Sequence, residues 1–123
     1  SNILESLKDD INSFKNQIDP SGRKYLNGIL KKISFHLQDQ SSWKDFETMF
    51  IQIHENFIEN LNNVSSELTT KQVRFCMFIK MGMDKYDICN LLNVTSRAIE
   101  QQRYRIKKII SPNQDLDKFI QDL

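Results

Sequence analysis

Arg97, Glu100, Gln101, Tyr104 and Lys108 carry the chemistry that this sequence offers. They stand at i, i+3, i+4, i+7 and i+11, so a helix would align them on one continuous stripe. The stripe is polar and cationic. The chain has no nucleotide-binding loop, metal-ligand cluster or nucleophile–base set beside it. No catalytic residue, metal or cofactor is therefore expected, and the chain does not read as an enzyme. A stripe of this kind suits the recognition of DNA, where cations and donors contact phosphates and other side chains reach base edges.

The stripe needs a helix of about Ser96 to Ile110, with Ile99, Ile106 and Ile110 on its buried side. A shorter helix, about Lys85 to Leu92, precedes it and puts Ile88, Leu91 and Leu92 on one side. The tight link Leu92-Asn93-Val94-Thr95 joins them. A short helix, a tight turn and a longer basic helix make a helix-turn-helix, whose second helix can lie in a DNA major groove. The boundary residues agree. Asp84 can cap the first helix with Asp87 at its third position, and Met83 and Ile88 can form a hydrophobic staple. Thr95 can cap the second helix, with Val94 and Ile99 as staple. Asn93 tolerates the left-handed conformation that a helix stop often needs. Upstream, Thr69 with Gln72, and Leu68 with Val73, repeat the pattern. Three such starts in sequence indicate a compact three-helix unit.

By position, Glu100, Gln101 and Tyr104 are the candidates for base contacts. Gln101 suits adenine N6/N7, Glu100 suits cytosine N4, and Tyr104 suits a thymine methyl or a phosphate. Glu100 has an equal claim to a salt bridge with Arg103 at i+3 or Arg97 at i−3. Lys71, Arg97, Arg105 and Lys108 are candidate phosphate contacts. Arg103 joins them, although it lies near the buried side. Net charge is only +1, but it is unevenly placed. Residues 95–110 hold five cations against Glu100 alone. Positive charge so concentrated marks a nucleic-acid footprint, with a merely solvated face as the plain alternative.

The chain has 123 residues and 39% hydrophobic residues, enough for one domain with a core. Only three Gly and two Pro interrupt it, which favours an all-α fold. Residues 1–66 read as a helical linker or dimerisation region, and residues 67–123 as the DNA-binding domain. Within the first, Leu4, Leu7, Ile11, Phe14 and Ile18 form a short heptad seam, suited either to a homodimer or to packing on its own domain. Asp19-Pro20-Ser21-Gly22 then breaks the chain. A helix from about Ser21 to Gln38 turns Leu26, Ile29, Leu30, Ile33 and Leu37 inward. Ser42 can cap a third helix, with Trp43, Phe46, Phe50, Ile53, Phe57 and Leu61 along one face as core. A fourth, about Thr70 to Met81, is apolar nearly all round and should be buried, with Gly82 ending it. Ser111-Pro112-Asn113 stops the basic helix, and a last helix of about Leu116 to Asp122 turns Leu116, Phe119, Ile120 and Leu123 inward.

Cys76 and Cys89 read as small packed residues with no zinc spacing. His36 and His54 lie on expected helices, and Ser34-Phe35-His36-Leu37-Gln38 lacks the acidic residue and the Arg-Thr-Pro of a histidine-kinase phosphoacceptor. No apolar run approaches the ~18 residues of a membrane span, and no signal-peptide pattern is present. A cytoplasmic protein without membrane contact is expected. The start at Ser1-Asn2 without Met reads as a segment of something longer.

Several landmarks then fall in order: Leu68-Thr69, Met81-Gly82-Met83, Ile88-Cys89-Asn90-Leu91-Leu92, Val94 through Glu100, and Arg103 through Lys108. From Leu68 onward the chain resembles the DNA-binding domain of LuxR/GerE-type transcriptional regulators, a four-helix fold. Leu116 to Ile120 resembles its fourth helix. Trp43-Lys44-Asp45-Phe46 and His54-Glu55-Asn56-Phe57 resemble the region before this domain in Bacteroidetes regulators that carry tetratricopeptide repeats or a coiled-coil-linked sensor. The resemblance implies transcription control on double-stranded DNA, with sensing done upstream and RNA polymerase as a further candidate partner. It departs at Ala98, where the family often has a phosphate-contacting Thr, and at Gln102, often His. Two rivals remain: a sigma region-four-like module, and a protein-interaction domain that kept the fold without DNA binding.

Overall fold

Thr69, Asp84, Thr95 and Asp115 each accept a hydrogen bond from the backbone N–H three residues on, and each opens a helix. The computed structural model describes residues 3, 5–7, 9–10, 20–37 and 40–123. Among them every regular element is α-helical, in agreement with the all-α expectation. The chain divides into two compact units, residues 1–55 and 56–123.

In the first unit, α1 (Pro20–Ser34) packs on α2 (Gln40–Ile53). Leu30, Phe46, Met49, Phe50 and Ile53 are buried. His54 follows α2, its Nε2 lying 2.8 Å from Asn27 Oδ1 and its ring 4.9 Å from that of Phe50. Three expectations are corrected here. Helix α1 ends at Ser34 rather than near Gln38. The Ser34 hydroxyl donates to the Lys31 carbonyl at 2.6 Å, a local bond that competes with the helix ladder. His36 N–H then closes a tight turn on Ile33 O. Helix α2 begins at Gln40, so Ser42 lies inside it and does not cap it. Nor does α2 continue to Leu61: it stops at Ile53, and the chain turns through His54–Asn56. No Gly or Pro marks that break; Asn56, at φ −106° and ψ 9°, has left helical geometry. Of the heptad seam, only Leu7 is described, helical and half-buried; Leu4, Ile11, Phe14 and Ile18 lie outside the described residues.

The second unit contains α3 (Phe57–Val64), α4 (Thr70–Lys80), α5 (Lys85–Leu92), α6 (Ser96–Ile110) and α7 (Leu116–Gln121). Helix α4 opens with a capping box: Gln72 N–H donates to Thr69 Oγ1, and Thr69 N–H donates to Gln72 Oε1. It buries Gln72, Phe75, Cys76, Met77, Phe78 and Ile79, the all-round burial that its composition requires. Cys76 is a free thiol, and burial pushes its pKa up to about 12, so it stays protonated and inert. Gly82 ends the helix at φ +84°, a conformation open to glycine at little cost, while Met83 N–H bonds Phe78 O.

Helix α7 packs on α4 and is tied to it by its side chains and carbonyls. Gln121 Nε2 donates to Ile79 O, and Lys80 Nζ donates to Gln121 O. Asn60 of α3 donates to Leu123 O at 2.8 Å, and the Lys80 ammonium lies 5.7 Å from the Phe57 ring centre. The small unit is thus closed at its end by polar ties around a buried α4.

Candidate nucleic-acid interface

Helices α5 and α6 pack against each other across a short turn. Asp84 and Asp87 form a reciprocal capping box at the start of α5: Asp87 N–H donates to Asp84 Oδ1 at 2.8 Å, and Asp84 N–H donates to Asp87 Oδ2 at 3.1 Å. Asn93 adopts the left-handed conformation at φ 53° and ψ 49°, as its type allows. Val94 N–H then reaches back to Cys89 O, which closes the helix end. Thr95 accepts from Ala98 N–H at 3.1 Å and starts α6. Replacing Thr95 with Ala should remove about 0.5–2 kcal/mol of stability in chemical denaturation, because one helix N–H loses its partner; an unchanged midpoint would show that water replaces the cap fully.

The inner side of this pair is anchored by Met83, Ile88, Ile99, Ile106 and Ile110, all buried. The staple residues Met83 and Ile88 are both covered, whereas Val94 and Leu92 are each 40% exposed and contribute less than their positions suggested. Helix α6 ends at Ser111, also left-handed, whose hydroxyl donates to Lys108 O. Lys107 and Lys108 lie in its last turn, where cations complement the free carbonyls.

Buried anchors on one side leave the opposite face of α6 to solvent. Arg97, Glu100, Gln101, Tyr104 and Arg105 line one open, shallow depression there. Tyr104 is 61% exposed, and the Lys108 ammonium sits 5.1 Å from its ring centre, within cation–π range. The structure therefore brings the three expected base-contact residues together with Arg97, Arg105 and Lys108. Lys71 is exposed in the first turn of α4 and does not line this depression. Arg103 turns to the flank, where it pairs with Asp117 at the start of α7. That bond ties α6 to α7 and occupies one side of the guanidinium.

Glu100 is not paired with Arg97 or Arg103. Its Oε1 accepts from Lys85 Nζ at 3.2 Å, from the first residue of α5. Lys85 also lies 5.4 Å from the ring centre of Tyr86, which is 70% exposed. The neighbouring carboxylate raises the Lys85 pKa above its ordinary value, so the ammonium stays charged throughout the neutral range. Sequence spacing missed Lys85 and Tyr86, because helical periodicity relates positions within one helix and not across a turn.

Charge and donors on this face are suited to a polyanion. Arg97 and Arg105 line the same depression as the Glu100, Gln101 and Tyr104 acceptor and donor groups, and Lys85 compensates the only carboxylate on α6. No family model, curated protein or solved structure matches the chain.

Proposed function

We propose that this chain is the DNA-binding output segment of a transcriptional regulator, with α6 seated in the major groove. The observation that carries the reading is the depression on α6, where Arg97, Glu100, Gln101, Tyr104 and Arg105 meet beside the turn at Asn93. An exposed helix face combining cations at its margins with amide, carboxylate and phenol groups between them offers both kinds of contact that sequence-specific binding needs. In this reading Glu100, Gln101 and Tyr104 face base edges. Arg97, Arg105 and Lys108 contact phosphates, with Lys71 reaching the backbone from α4. Arg103 acts through its bond to Asp117, holding α7 against α6, with its remaining donors directed to a phosphate. The motif resemblance supports reading α4 to α7 as a LuxR/GerE-type four-helix arrangement, with a cytoplasmic location and regulation through RNA polymerase as corollaries of that reading. Two copies on paired half-sites would supply the affinity that one small module lacks.

Two substitutions separate the roles. Lys108→Ala should weaken binding to all duplexes alike and reduce the slope of log affinity against log salt by about 0.9. Gln101→Ala should instead change which duplexes are preferred. Binding measured on a panel of duplexes gives both quantities, and two variants that bind as the parent does would remove α6 from the groove.

A further inference from the structure

Lys85 has a role that its position outside the α6 stripe conceals, and the inference rests on the DNA-binding reading above. We propose that Lys85 is a positioning residue that makes Glu100 a reader of an exocyclic amine in the major groove. The ammonium is held at two points, by Glu100 Oε1 at 3.2 Å and by the Tyr86 ring at 5.4 Å from its centre. Fixing Oε1 leaves Oε2 with no partner among the described residues, on a side chain that lines the depression. A carboxylate oxygen in that place is an acceptor only, so it selects a donor: cytosine N4 first, adenine N6 second.

The same bond answers an electrostatic difficulty. A bare carboxylate approaching DNA is repelled by phosphates on both sides. Lys85 neutralises it from the protein side. An ammonium has three donors, so Lys85 can hold Glu100 and a phosphate oxygen together. The phosphate would then tighten the geometry of Glu100 rather than expel it. Arg97 and Arg105 line the same depression but make no ion pair with Glu100, so Lys85 is the cation that sets its direction.

The test is selection from a randomised duplex pool with the full chain, followed by dissociation constants for the selected duplex and all its single-base-pair variants. The parent should prefer a pair presenting an amine at one position by about tenfold or more. Glu100→Ala should abolish that preference. Lys85→Met should abolish it at the same position and leave the others, the double variant should lose nothing further, and Lys85→Arg should restore it. Lys85 is half-buried and lies outside the buried apolar core, so these changes leave the core intact. If Lys85→Met weakens every duplex equally with the preference kept, Lys85 is only a phosphate contact and the proposal fails while DNA binding stands. If no position depends on Glu100, the proposal also fails. If neither the parent chain nor two linked copies of it bind DNA, the functional reading falls and this inference with it.

Discussion

Phe78→Ala should lower the unfolding free energy by about 3–5 kcal/mol, the cost of removing a buried ring and leaving the space behind it. Phe78 is 1% exposed and lies on α4, whose neighbours Phe75, Cys76, Met77 and Ile79 are also covered. Surrounding side chains are therefore held on every side and have little freedom to collapse inward. Small domains have a total stability of only about 0.05–0.15 kcal/mol per residue. A loss of that size would remove a large share of the stability of the unit formed by residues 56–123. Urea denaturation followed by circular dichroism measures it. A shift below about 1 kcal/mol would mean that α4 is not the buried centre of this unit.

The second large effect belongs to the face rather than the core. Arg97, Arg105 and Lys108 are exposed, so replacing all three with Ala should leave the fold unchanged. DNA binding should respond strongly. Each phosphate contact contributes about 0.9 to the salt slope, and near 0.1 M salt the loss of three should weaken binding on the order of several hundredfold. Titration at several salt concentrations, with circular dichroism to verify folding, measures both slope and affinity. A folded triple variant with the parent's slope would place the polyanion elsewhere on the protein.

Local chemistry was the legible part of this fold. Thr69, Asp84 and Thr95 cap helices because each places an oxygen over N–H groups only three residues away. Asn93 and Gly82 take positive φ at helix ends, and their residue types announce it. The burial of Ile99, Ile106 and Ile110 follows from helical spacing alone. What stayed hidden depends on contacts between elements. The turn at His54–Asn56 interrupts an aromatic stripe that continues in helical register from Phe46 to Leu61, with no breaker residue at the interruption. At the end of α1 the Ser34 hydroxyl bonds Lys31 O, and a serine, favoured at helix starts and turns, does not by itself mark where a helix stops.

The candidate site divides in the same way. Its stripe on α6 is a property of spacing and was visible in the residues. The choice of ion-pair partners was not. Glu100 had two arginines within one helical turn, yet its bond goes to Lys85 on the preceding helix. Arg103, a phosphate candidate near the buried side of α6, instead has Asp117 of α7 beside it. Surface ion pairs add little stability, typically about 0–1 kcal/mol, so no strong energetic rule selects them in advance. They matter here for direction: one aims a carboxylate, and the other fixes the last helix against α6.

In the proposed function the exposed face of α6 binds duplex DNA. Fluorescence anisotropy of a labelled duplex, titrated with the chain across a salt series, tests it most directly. Two copies joined through their N-terminal segments by a flexible linker, run in parallel, remove any dependence on dimerisation. Binding should weaken steeply as salt rises, with a slope that decreases when Arg97, Arg105 and Lys108 are replaced. No binding at low salt, by the single chain or by the linked pair, would contradict it.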